Sequence, residues 1–67
     1  MDIRLNGEPH RAAGATLIDL LAEQRIDPAG PGIAVAINWS MVPRAAWKTT
    51  SLNPGDEVEI VRPHAGG

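Results

Sequence analysis

The chain has 67 residues, a formal net charge of −2 at neutral pH and no cysteine. A chain of this length forms one domain at most and has no room for a large catalytic cleft. Without cysteine it has no disulfide and no side-chain thiol for nucleophilic or persulfide chemistry.

The composition also argues against nucleic acid and membrane partners. The chain has one lysine and neither Tyr nor Phe, so it lacks the clustered cations and stacking rings that bind nucleic acid. No run approaches the ~20 apolar residues of a membrane span, and the start, MDIRLNGE, lacks the basic and apolar regions of a signal peptide. We therefore expect a cytoplasmic protein whose partners are proteins.

The first two elements are predicted to form a hairpin. Apolar and polar residues alternate over residues 1–5, which predicts a strand with its apolar side chains on one side. Asn6 and Gly7 predict a tight turn, because both tolerate positive φ. The return strand, about residues 8–13, contains Pro9 and should therefore lie at a sheet edge.

A leucine-rich stretch predicts one helix over about residues 17–25, with its leucine face on the sheet. Thr16 is expected to cap this helix, and Asp19 at the third helical position completes a variant of the capping box. The sequence DPAGPG then ends the helix, since its prolines and glycines suit neither helix nor strand.

The apolar run GIAVAIN predicts a central strand covered by the helix. Its side chains Ile33, Val35 and Ile37 should face the helix. Ala34 and Ala36 would then lie on the opposite face of the sheet.

The last third of the chain predicts three further elements. MVP indicates a short strand closed by Pro43, and RAAWKT indicates a turn of helix over the sheet edge. The Pro-Gly-Asp sequence at residues 54–56 predicts a turn, after which Val58 and Ile60 alternate with glutamates in a last strand.

This order of elements predicts the α+β class: a small mixed sheet with one helix across one face, in which the central strand returns beside the first. It is the order of the ubiquitin-like β-grasp fold. That fold implies a last strand in the sheet interior and a C-terminus that leaves the domain as a free arm. We therefore divide the chain into a β-grasp domain, residues 1–62, and a flexible Gly-Gly tail, residues 63–67.

Three stretches resemble the ThiS family, the bacterial sulfur carrier proteins of thiamine biosynthesis, and together they span nearly the whole chain. They are IRLNGEPHRAAGATLIDLL, AVAINWSMVPRAAW and LNPGDEVEIVRPHAGG. The resemblance implies a carrier rather than an enzyme. It also implies that the carrier binds no cofactor and that its partner enzyme uses ATP.

The resemblance further implies a reaction at the Gly67 carboxylate. A ThiF-like adenylating enzyme of the ubiquitin-activating type would adenylate it, and sulfur from a desulfurase-derived persulfide would convert it to a thiocarboxylate. A ThiG-like thiazole synthase would then accept the sulfur. Gly66 and Ala65 would thread the partner's active site, because residues with little or no side chain pass a narrow tunnel.

Other functions stay open on the residues alone. The small subunit of molybdopterin synthase shares the fold and the Gly-Gly end, but it tends to have a double-proline motif where RPHAGG has one proline. A ubiquitin-like protein modifier would instead be joined to a lysine. A β-grasp domain with a functionally silent tail is the remaining alternative.

Several side chains have two interpretations. Arg44 is either a docking contact or a solvated cap of the short helical turn, and Trp39 and Trp47 are either partner anchors or packing residues. His10 and His64 are either docking or pH-sensing groups or ordinary solvated side chains. The two histidines are too few for a metal site without cysteine or clustered carboxylates.

A partner-binding patch, if present, should lie on the sheet face opposite the helix. Its exposed residues would be Ala34, Ala36, Met41 and Val61. The acidic residues of the last strand region have two interpretations as well, an acidic docking face or a solvated strand face. They are Asp56, Glu57 and Glu59.

Overall fold

Five strands and two helical segments form the part of the chain that the structure, a computed structural model, describes: residues 1–63. In chain order they are β1 (Asp2–Leu5), β2 (Glu8–Arg11), α1 (Leu17–Glu23), β3 (Ala34–Ile37), β4 (Ser40–Met41), a 3₁₀ helix (Arg44–Thr49) and β5 (Glu57–Val61). The predictions on His64, Ala65, Gly66 and Gly67 lie outside these residues. The boundary between domain and tail at residue 62 therefore stays a prediction.

The strands form one mixed sheet in the order β2-β1-β5-β3-β4. Strand β5 runs parallel to β1 and antiparallel to β3, while the two hairpins β1-β2 and β3-β4 are antiparallel. The structure confirms the α+β class, the interior position of the last strand and the edge position of the Pro9 strand.

One predicted neighbour relation is wrong. The central strand β3 does not return beside β1, because β5 lies between them and pairs with both. Val58 and Ile60 of β5 are buried under the helix while the strand is hydrogen-bonded on both sides. The alternation of apolar residues gives the buried face of each strand, but it does not say which strands are neighbours.

Two asparagines in hairpin turns tie the turns to β5. Asn6 and Asn38 adopt φ of 51° and 50°, in the left-handed region that asparagine tolerates. The Asn6 side-chain oxygen accepts from the backbone N–H of Ile60 at 2.8 Å, and that of Asn38 accepts from the N–H of Glu57 at 2.9 Å. Each turn therefore bonds β5 as well as connecting two strands.

Helix α1 begins as predicted and ends two residues early. The Thr16 side chain accepts from the Asp19 N–H at 3.1 Å and the Asp19 side chain accepts from the Thr16 N–H at 3.3 Å, which confirms the capping box. Gln24 is the C-cap, and Arg25 has φ of 57°, which is incompatible with a continuing right-handed helix. Within residues 1–63, neither helical segment combines the length and the apolar character needed to cross a bilayer.

The core lies between α1, the 3₁₀ helix and one face of the sheet. Its fully buried members come from the leucine face of α1 and from alternate positions on β3 and β5, as predicted. They are Leu17, Leu20, Leu21, Val35 and Val58. Ile33 and Ile37 pack against this cluster and are partly buried.

A polar contact joins the edge strand β2 to the end of α1. The His10 Nε2 atom lies 3.0 Å from Glu23 Oε1, and the N–H of Ala13 donates to Glu23 Oε2 at 2.8 Å. These two hydrogen bonds hold the pKa of the Glu23 carboxyl below its usual value, and the bond from the Ala13 N–H contributes more than the bond to the His10 side chain. His10 is thus a partner of Glu23 rather than the freely solvated histidine of the simpler interpretation.

Asn6→Gly should destabilise the protein by about 1–2 kcal/mol, because the part-buried Ile60 N–H loses its acceptor while the backbone conformation is kept. Asn6→Asp keeps both an acceptor and tolerance of positive φ, so it is the matched control and should cost less than about 0.5 kcal/mol. Urea unfolding at constant m value measures both changes. Equal losses in the two variants would contradict a role for the side-chain oxygen.

Glu23→Gln should lower the free energy of unfolding by about 1 kcal/mol at pH 7, since hydrogen bonds to the charged carboxylate are lost. A carboxyl whose pKa is lowered by folding stabilises the protein above its unfolded-state pKa and loses that effect as pH falls through its folded-state pKa. The stability difference from the natural chain should therefore shrink below about pH 4.5 and vanish in stronger acid. Glu8→Gln, which removes an exposed carboxylate from β2, the strand that carries His10, should leave the urea midpoint at pH 7 unchanged.

Candidate functional site

The sheet face away from α1 has an apolar half. Because Val35 and Ile60 pair and are buried, their neighbours Ala34 and Val61, which also pair, point to the opposite face. Ala36 pairs with Met41 on that same face. The structure thus confirms the predicted face, and we call these four residues, Ala34, Ala36, Met41 and Val61, the open patch.

Two members of the open patch are large and solvent-exposed. Met41 is 69% exposed and Val61 63% exposed, whereas the two alanines are partly covered. Met41 on β4 and Val61 on β5 flank β3, whose Ala34 and Ala36 lie between them on the same face. Apolar surface of this kind is typical of faces that bind a partner.

The other half of this face is charged. Arg4 lies 3.9 Å from Glu57 across the parallel β1-β5 pair, and Arg11 lies 3.1 Å from Asp2 across the β1-β2 hairpin. The side chains of Arg11 and Asp2 are largely exposed and those of Arg4 and Glu57 about half exposed, so these pairs contribute little to stability. Glu57 and Glu59 thus lie on a solvated strand face that borders the open patch.

Asp56 does not belong to that acidic face. It is 7% exposed, and its carboxylate accepts from the Asn38 side chain at 3.0 Å and from the Asn53 N–H at 2.8 Å. Its inclusion in an acidic docking surface is therefore wrong, because both carboxylate oxygens bond within the domain and brace the start of β5.

Trp39 lies in the turn between β3 and β4, two residues before Met41. It is 77% exposed, so the interpretation of Trp39 as a packing residue is wrong. Its φ of 69° is unusual for a bulky residue and stores backbone strain. No signal in the sequence predicted this left-handed backbone conformation, since Asn-Trp is not among the dipeptides that mark a tight hairpin turn.

Trp47 has the opposite environment. It is 2% exposed, and its indole N–H donates to the Val42 carbonyl at 2.9 Å. The packing interpretation is confirmed, and Trp47 as a direct docking contact is wrong, because its surface is already covered by the domain.

Arg44 attaches the 3₁₀ helix to the loop that follows α1. Its guanidinium lies 4.5 Å from the centre of the Trp47 ring and donates to the carbonyls of Pro28 and Gly30, the latter at 2.7 Å. It is therefore not a cap of its own helical turn. With Lys48 it also borders an apolar depression of about 270 Å³, whose remaining lining residues are Ile18, Pro28, Ala29 and Trp47.

The last described residues lead from the open patch to the C-terminal stretch. Val61 ends β5, the Arg62 guanidinium lies 3.5 Å from the Gln24 carbonyl, and the Pro63 ring lies against Gly32. No group of His, Asp and Glu within residues 1–63 is arranged to hold a metal ion. The arrangement available for function is thus an exposed face beside the start of a Gly-Gly tail.

The fold and this site define the chain as a ubiquitin-like β-grasp protein. The crystal structure of a thiamine biosynthesis protein (ThiS) from Geobacter metallireducens matches the whole of both chains with a TM-score of 0.78 and 27% identity. A solution structure of a thiamine biosynthesis protein from the same organism also matches, with a TM-score of 0.79 and 28% identity. The match covers all of this chain and 88% of the chain in that structure.

The sequence comparisons agree with the structural ones. The model of the ThiS family matches residues 3–67, and the sulfur carrier protein ThiS of Escherichia coli K12 is 38% identical over 56 residues, covering 84% of this chain and 82% of that protein. The chain belongs to the ThiS family, the sulfur carrier proteins of thiamine biosynthesis. The thiazole synthase of Magnetococcus marinus is 40% identical over 68 residues, which cover all of this chain but 20% of that protein, so the chain spans about a fifth of its length.

Proposed function

We propose that this sulfur carrier acts through a thiocarboxylate on Gly67, formed by an adenylating enzyme and consumed in thiazole formation. The observation that supports this most directly is the position of β5. It lies in the sheet interior, it ends at Val61 in the open patch, and only residues 62–65 separate it in the sequence from the Gly-Gly pair. The proposed reactive end thus follows closely on a strand that is paired on both sides.

The chemistry requires activation because a carboxylate is a poor electrophile. A carboxylate oxygen of Gly67 attacks the α-phosphorus of ATP on the partner enzyme, and pyrophosphate leaves. A sulfur nucleophile then attacks the acyl carbon and AMP leaves. A sulfide gives the thiocarboxylate directly, whereas a persulfide gives an acyl disulfide that a thiol cleaves to the thiocarboxylate.

The chain's own residues supply docking and reach rather than catalysis. The five residues beyond Arg62 extend at most roughly 16–18 Å, enough for Gly67 to enter an active site while the domain stays outside. We assign the open patch as the surface that docks on the adenylating enzyme. We propose Arg44, in the 3₁₀ helix outside that patch, as a second contact. Both glycines suit a narrow tunnel, because a residue without Cβ adopts backbone angles closed to others.

The proposed acceptor of the sulfur is a thiazole synthase. In support, the relative from Magnetococcus marinus that matches the whole of this chain is itself named a thiazole synthase. This favours thiazole formation over the molybdopterin alternative. As sulfur donor we propose a desulfurase-derived persulfide, because its terminal sulfur is a nucleophile that can attack the adenylated carboxyl carbon.

Incubation with a ThiF-type adenylating enzyme, Mg-ATP and sulfide should raise the intact mass of the chain by ~16 Da, with an adenylate ~329 Da heavier as intermediate, as expected for reaction at an accessible chain terminus. Deletion of Gly67 should abolish both shifts. Gly66→Ala should slow turnover while leaving the thermal unfolding midpoint unchanged, because it adds only one methyl group to the predicted tail.

The control is the natural chain without ATP, which should keep its mass. Conjugates whose mass is raised by that of a second protein would indicate a ubiquitin-like modifier instead. If the Gly67 deletion still gained sulfur, the proposed site would be wrong.

Val61→Glu should raise the KM of adenylation about tenfold with little change in kcat, because a charge replaces an apolar docking contact. Arg11→Gln is the matched control, since it also makes the chain one charge more negative and lies on the charged half of the same face. It should leave the KM within about twofold. Equal effects of the two variants would assign the loss to net charge and contradict docking through the open patch.

A further inference from the structure

The Pro63 ring occupies space that is free only because residue 32 is glycine. A Cβ built on Gly32 would lie 2.9 Å from Pro63 Cγ, which is closer than carbon atoms in proteins pack, and 3.4 Å from Pro63 Cδ. Gly32 also has φ of 75°, in the left-handed region that favours glycine. Two independent features of this position thus require the absence of a side chain.

The loop that contains Gly32 is fixed to the rest of the domain. The N–H of Gly30 donates to the Asp27 carbonyl at 2.9 Å, and the N–H of Ala29 donates to the Asp27 carboxylate at 2.9 Å. The Arg44 guanidinium binds the carbonyls of Pro28 and Gly30. The surface on which Pro63 lies is therefore built into the fold.

The chain is also fixed just before Pro63. Strand β5 holds residues 57–61 between β1 and β3. The proline ring restricts φ at residue 63 to a narrow range. With the ring seated on Gly32, the backbone position and direction at residue 63 are determined by the domain.

We propose that Gly32 is a positioning residue: by seating Pro63 on the Arg44-bound loop, it sets the direction in which the last four residues leave the domain toward the adenylating enzyme. This inference rests on the proposed function. An arm of four residues has limited reach, so a change of direction at its base displaces the reacting carboxylate. Displacements of about 1 Å can cost up to a hundredfold in rate.

Gly32→Ala should lower the kcat of adenylation about tenfold with KM unchanged, because docking on the open patch is kept while the carboxylate is displaced. Gly55→Ala is the matched control. Gly55 has φ of 85°, but a Cβ there would meet nothing within 4 Å. Both variants should lose thermal stability to a similar extent, whereas kcat should fall in Gly32→Ala alone.

A double-mutant cycle with Pro63→Ala identifies the contact. In the Pro63→Ala background the ring is absent, so Gly32→Ala should cost no more kcat than Gly55→Ala does there. In the natural chain, nuclear Overhauser effects are expected between the Gly32 α protons and the Pro63 ring protons.

The outcomes separate the two levels of the proposal. Suppose that the natural chain is adenylated. If Gly32→Ala then has the same kcat as Gly55→Ala, the positioning role is overturned and the carrier function stands. The same holds if Gly32→Ala lowers kcat equally with and without the Pro63 ring. Absence of the Overhauser effects also overturns the positioning role. If no adenylating enzyme of this class modifies the natural chain, the carrier mechanism fails and the inference fails with it.

Discussion

The hydrogen bonding of β5 on both edges is the constraint on which the rest of the structure depends. This strand joins the β1-β2 hairpin to the β3-β4 hairpin, and without it the two hairpins share no strand neighbour. The side chains of Asn6, Asn38 and Asp56 all bond at or next to β5 or its entry turn. Their polar atoms thus fix the register that buries Val58 and Ile60 and exposes Val61.

The same constraint explains how so small a domain can serve as a carrier. In the proposed function the reactive group is the main-chain carboxylate of Gly67, so no side chain needs a perturbed pKa or a cleft. Firm anchoring of the last strand and a shaped exit for the chain are needed instead. The Pro63 contact with Gly32 and the exposed face beside Val61 lie within a few residues of each other at this exit. Recognition and direction are thereby combined in one region.

Local signals predicted most of the fold. The Asn6-Gly7 turn, the Thr16 capping box and the alternation along β5 each follow from interactions between residues close in the chain. The parallel pairing of β1 with β5 could not be predicted from alternation, because it joins strands more than 50 residues apart. The ubiquitin-like resemblance supplied the interior position of β5, which periodicity alone does not contain.

The candidate site divides in the same way. The face of the open patch followed from alternation, and the proposed reaction at Gly67 follows from the family resemblance. The roles of Arg44, Asp56 and Gly32 depend on contacts across 14, 18 and 31 residues of chain, which no local pattern shows. The exposure of Trp39 was one of two interpretations left open, because the residue type alone does not separate a partner anchor from a packing residue.

The interior position of the last strand has a consequence for synthesis on the ribosome. A nascent chain that has emerged only as far as residue 56 has the residues of both hairpins and of the helix, but it lacks the strand that joins the hairpins. Such pairings between distant parts of the chain form slowly and late. The open patch is therefore completed only when Val61 emerges, so a truncated translation product lacks the face we assign to docking on the adenylating enzyme.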